Sequence, residues 1–143
     1  MKLLLSALLL FPLFLAHTAL GQKDTSGHQK TWTYTYIKAK PNQADRLIQF
    51  IEKNWFTMDS IAVEKGLFHD YQLLQKNTNA DSTSWDFIVA VEYYTKGTYA
   101  DIQDEWSEIR KNHKKVLIDG YDFNELGQVV KSEEIVKLSS HSP

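Results

Sequence analysis

Residues 31–38 (TWTYTYIK) constrain the fold more than any other stretch, being dense in β-branched and aromatic side chains and free of breakers. Such residues suit a pleated, covered surface. Alternation places Trp32, Tyr34 and Tyr36 on one face and Thr33, Thr35 and Ile37 on the other. Both faces are capable of burial, so this strand asks for cover on each side of its sheet.

Beyond this strand the chain alternates between helical and strand periods. Pro41-Asn42 ends the strand and opens a helix, with Asn42 as expected N-cap and Asp45 in the first turn. Ala44, Leu47, Ile48, Ile51, Trp55, Met58 and Ala62 recur at steps of three and four and make one apolar stripe, and Gly66 is the expected stop. That helix is long beside a mean of about 12 residues, so a kink is expected near Trp55 to Asp59. Residues 68–76 (FHDYQLLQK) predict a second strand, 77–84 a polar loop and 85–95 (WDFIVAVEYYT) a third strand, which together read as an antiparallel hairpin. A second helix starts at Gly97 or Thr98 and carries the stripe Tyr99, Ile102, Trp106, Ile109 and His113. Residues 116–127 form an irregular connection with an Asp119-Gly120 turn. Of the two short β-prone pieces at 129–130 and 135–136, one is expected as a fourth strand.

The order β-α-β-β-α-β predicts an α+β, ferredoxin-like chain: a four-stranded antiparallel sheet with two helices on one face. The helices can cover one face only. The other keeps apolar and aromatic side chains, and an exposed apolar patch of that kind marks an interface. A homodimer through the sheet face is therefore expected.

Residues 1–21 stand apart from this domain. Lys2, an apolar run over 3–16 and Ala19-Leu20-Gly21 give the charge, core and small-residue site of a secretory signal peptide, with a cut before Gln22. The run is shorter than the roughly 20 residues of a membrane span, so no integral span is expected after cleavage. The expected organisation is a signal peptide at 1–21, a flexible leader at 22–30, the folded domain at 31–138 and a polar tail at 139–143. The expected location is exported, periplasmic or extracellular. The chain has no cysteine, which excludes disulfides, thiolate metal sites and a cysteine nucleophile. A net charge of −2 gives no basic excess for a nucleic-acid partner. No H-x-x-x-H or H-E-x-x-H pair, Gly-rich phosphate loop or G-x-S-x-G elbow is present, and no metal or cofactor is predicted.

The element order, the aromatic first strand, the two-faced third strand (WDFIVAVEYY) and the segment VVKSEEIVKL resemble the dimeric α+β barrel superfamily, in particular its exported bacterial members. The resemblance spans residues 31–138. It implies two ferredoxin-like subunits joined through their sheets, with a pocket between each sheet and its helices. Relatives of that kind include cofactor-independent monooxygenases, haem proteins and plain ligand binders, so the resemblance leaves haem open and fixes no chemistry.

Several side chains are candidates for a site. His113, ending the second helix stripe, is a candidate general base or a core-capping histidine. Glu92 interrupts the apolar third strand, where a buried carboxylate needs a partner or a raised pKa, and is a second candidate base. His69 and Tyr71 share a strand face by alternation and are candidate ligand contacts. Trp32, Tyr34, Tyr36, Trp85 and Trp106 are candidate pocket walls or plain core. The function expected is binding of a small, partly aromatic or apolar molecule. The alternatives are a cofactor-independent monooxygenase or isomerase, with His113 and Tyr34 or His69 steering protons, and a module whose dimer surface is its purpose.

Overall fold

A computed structural model describes residues 29–77, 84–95, 100 and 102–136 of the chain. The expected signal peptide, most of the expected leader, the centre of the 77–84 loop, the start of the second helix with Tyr99, and the polar tail lie outside the described residues.

Four strands form one sheet: β1 (Gln29–Ala39), β2 (Phe68–Gln75), β3 (Phe87–Thr95) and β4 (Gly127–Val136), in the order β2-β3-β1-β4 with every pairing antiparallel. The class is α+β. β1 begins two residues before the expected strand, and β3 two residues after its expected start. β4 joins both β-prone pieces into one strand, where only one was expected to pair. A register shift opposite Tyr36/Ile37 lets β4 absorb one extra residue without breaking the ladder.

Between β1 and β2 the chain is helical from 44 to 64: α1 (Ala44–Phe50), a π-helical turn (Ile51–Trp55) and α2 (Phe56–Glu64). Asn42 is not the N-cap. It adopts a left-handed φ of 61° in the preceding turn, and Gln43 stands at the cap without a side-chain hydrogen bond. The expected irregularity is a π turn a few residues earlier than the expected kink. Beyond it Asp59 is buried beside the half-buried Met58 of the expected stripe. Gly66 ends the helix at φ 73°. Its N–H donates to Val63 O and that of Leu67 to Ala62 O, both at 2.9 Å, the paired bonds of a Schellman stop.

The second helix, α3 (Gln103–Asn112), ends one residue before His113, whose backbone is already extended. The stretch expected to be irregular contains a short helix, α4 (Phe123–Leu126), closed by a reciprocal Asp122/Glu125 capping box. The Asp119-Gly120 turn is present, bracketed by an Ile118–Tyr121 bridge.

The helices lie against the face that carries Ile37, Phe87 and Val89. These pack with Leu47, Phe50, Ile51, Ile118 and Leu126 into one core cluster. Gly127 lets this layer close: a Cβ there would meet Leu47 Cδ2 and Lys38 O at 2.9 Å. A second cluster of Ala62, Leu67, Phe68, Tyr93, Ile102 and Ile109 fills the other end. The opposite face carries Trp32, Tyr34 and Tyr36, all half-buried, and no described helix packs on it.

Candidate functional site

The two core clusters leave a gap. β1 presents Thr33 and Thr35 to the helices where a larger residue would fill the layer, and the π turn carries Trp55 aside to pack on Phe123 at 5.1 Å. A cavity of about 540 Å³ results, floored by Thr33, Thr35, Val89, Val91 and Tyr93 of the central strands. Trp55, Met58 and Asp59 form one wall, Trp106 and Arg110 of α3 another, and Phe68 closes the β2 side. Ser132, Glu133 and Glu134 of β4 form the rim. The volume falls in the usual range for small-molecule sites.

The walls are aromatic. Phe68 packs on Trp106 at 4.8 Å and on Tyr93 at 6.4 Å, both tilted. The Arg110 guanidinium lies 5.9 Å from the centre of the Trp106 ring and bonds Ser107 Oγ. The Tyr93 hydroxyl accepts from Thr33 Oγ1 at 3.5 Å.

One polar group departs from this pattern. Asp59 is 4 % exposed, and its Oδ2 has no hydrogen-bond partner among the described residues. Burial pushes its carboxyl up to about 7, because removal from water penalises the charged form. A carboxyl of this kind, set among aromatic rings, can hold or move a proton near neutrality or receive a donor brought by a ligand. The other charged lining groups are exposed at the rim, except that Glu133 turns its carboxylate away, to Tyr36 Oη at 2.7 Å and to Lys131. Those hydrogen bonds hold Glu133 below the usual carboxylate range.

Of the candidate site residues read from the sequence, Trp106 alone lines this cavity. Tyr34 is on the opposite face of the sheet, where Trp85 stands edge-on to Tyr36 at 5.4 Å. Tyr71 packs under α2 on Phe56 at 4.8 Å. A bulge between Phe68 and Asp70 breaks the alternation that would have put His69 and Tyr71 on one face, and His69 Nε2 instead stands 3.5 Å from Glu92 Oε2. Glu92 is buried on the face opposite the cavity, as its register with Trp32 requires. His113 Nε2 is 3.1 Å from Asn54 Oδ1. Asn54 accepts from Val116 N through Oδ1 and donates to Val116 O through Nδ2, which fixes the orientation of its amide. The His113 ring therefore donates to it. The expected sites are thus dispersed: His69 with Glu92, His113 with Asn54, Tyr34 and Trp85 on the opposite face of the sheet, Tyr71 against Phe56, and Trp106 in the cavity.

Asp59 was not among the expected site residues. Its signal was present: it lies four residues after Trp55 and three before Ala62, so an acid occupies the apolar stripe itself. Among the described residues no group of three or more histidine or acidic side chains could hold a metal ion, and no helix is long and apolar enough to cross a membrane. No protein-family model matches the chain, and no curated protein matches it significantly.

Proposed function

We propose that this chain binds a small, partly aromatic or apolar molecule in the cavity between the helices and the sheet. The observation that carries the reading is the buried Asp59 carboxyl, whose Oδ2 has no partner among the described residues, in an aromatic-walled space of about 540 Å³. A core built only for stability has no use for either, since a void forfeits packing and an orphaned buried oxygen costs about 1–3 kcal/mol.

The same reading takes residues 1–21 as an export signal and the binding domain as ferredoxin-like. The order β2-β3-β1-β4 with antiparallel pairing supports that arrangement. Two copies joined through their aromatic sheet faces would make a dimeric α+β barrel. Asp59 also favours a second reading, an isomerase-type enzyme that works without a cofactor. There Asp59 would exchange the proton with substrate, and His113 and Glu92, held elsewhere, would not.

Titration with naphthalene tests the binding reading. Saturable quenching of Trp55 and Trp106 is expected, and Thr35→Phe, which projects a ring into the cavity, should abolish it. Quenching that does not saturate, or that survives Thr35→Phe, overturns the reading.

A further inference from the structure

From the geometry of this cavity we infer the class of its ligand: a protonated amine on a compact aromatic or apolar body, donating its N–H to the Asp59 carboxyl. The inference rests on the binding reading above and sharpens it.

The carboxyl supplies the first argument. Asp59 lines the cavity, and its buried Oδ2 lacks a donor among the described residues. An ionised carboxylate only accepts hydrogen bonds, so the complementary group is a donor, and a charged donor roughly doubles the strength of the bond. The rings supply the second. Trp55, Phe68 and Trp106 line the cavity, and aromatic rings carry quadrupoles that attract cations. The protein already uses one of them in this way, with Arg110 over Trp106 at the rim. Charge gives the third. From α3 the cavity receives Arg110 and from β4 Glu134, both exposed, and Glu133, whose carboxylate is held by Tyr36 and Lys131, while β3 adds the Tyr93 hydroxyl. β1 and β2 contribute only Thr33, Thr35 and Phe68. An anionic ligand would bring a second negative charge beside Asp59, with Arg110 its one cationic neighbour among the described lining residues.

The site then couples binding to pH. Without a ligand the Asp59 carboxyl titrates at about 7. An ammonium group favours the carboxylate, so amine binding releases a proton below that pH, and affinity rises as pH rises through it. Between about pH 6 and about pH 8 the ionised fraction, and with it the affinity, grows about tenfold. A neutral ligand accepting a hydrogen bond from protonated Asp59 would show the opposite slope.

Isothermal titration calorimetry with three probes of one shape decides the matter: phenethylamine, phenethyl alcohol and phenylacetate. At about pH 8 the amine is expected to bind about tenfold or more tightly than the alcohol, with phenylacetate weakest. Asp59→Asn should erase both the preference and the pH dependence. The slope in the unaltered protein is an independent readout should that variant fold poorly. Alcohol or phenylacetate binding as well as the amine, or an amine affinity flat with pH, overturns the amine assignment and leaves ligand binding standing. Failure of all three probes to bind overturns both.

Discussion

Asp59 makes the folded chain sensitive to pH in an unusual direction. Its carboxyl rises from 3.8 to about 7 on burial, so the folded state holds a proton that the unfolded state has released. The stability this proton contributes is complete below about pH 3.8 and is lost as pH climbs through about 7. The whole window is worth on the order of 4 kcal/mol. Asp59→Asn removes the titration while nearly preserving shape. The stability difference between the variant and the unaltered protein should therefore grow in the variant's favour by on the order of 4 kcal/mol between about pH 4 and about pH 8. Urea denaturation across that range measures it, and parallel curves would show that Asp59 is solvated. The sequence hid this residue for a physical reason. Its spacing from Trp55 and Ala62 puts it on the apolar stripe, but an acid at such a position ordinarily reaches solvent from the edge of the stripe, and only the packing of α3 and the sheet around it buries Asp59. Residues that look chemical in one dimension, such as His113 and Glu92, find partners in Asn54 and His69 instead.

The π turn itself depends on Asn54. Buried at 2 % exposure, its amide donates to Phe50 O one helical turn back and clasps both backbone groups of Val116 at 2.8 and 2.9 Å. One side chain thus satisfies the backbone where the helix ladder is irregular and pins the segment after α3 against it. Asn54→Ala strands these groups and should cost about 2–4 kcal/mol. His113→Ala removes a single half-exposed bond to the same amide and should cost about 1 kcal/mol. Chemical denaturation of both variants checks the ranking, and equal losses would place the weight of the junction on the histidine. At this scale the sequence was legible wherever periodicity is local. The first three strands, the helical run and the Gly66 stop follow from alternation, three-four spacing and the need for a left-handed residue. The features that escaped are those set by partners far along the chain: the bulge at His69, Asn42 in a turn, and β4, whose short apolar pieces join because β1 offers a ladder for both.

At the scale of the whole molecule the two faces of the sheet ask for different cover. The α+β class follows from the order of elements alone, but alternation yields two residue sets and does not say which meets the helices. Thr33, Thr35 and Ile37 do, and the heavier set of Trp32, Tyr34 and Tyr36 is left on the other side with Ile135 exposed on β4. Pairing by the edges is unfavourable, since β2 and β4 each carry a register irregularity and β4 bears charged side chains. Face-to-face association has no such obstacle. It would bury the aromatic stripe symmetrically, the same patch serving both copies. The proposed homodimer should sediment at twice the chain mass. Tyr34→Lys separates loss of the interface from loss of the fold, because Tyr34 pairs across the ladder with Glu133 and a lysine there gains an opposite charge within its own sheet. The same lysine would meet a desolvated aromatic surface in the dimer, where an unpaired cation is costly. The variant should sediment as a folded monomer with unchanged circular dichroism and a cavity that still quenches with naphthalene. A monomeric unaltered protein would end the barrel reading, yet it would leave the cavity intact, because every described wall of that space comes from one copy of the chain.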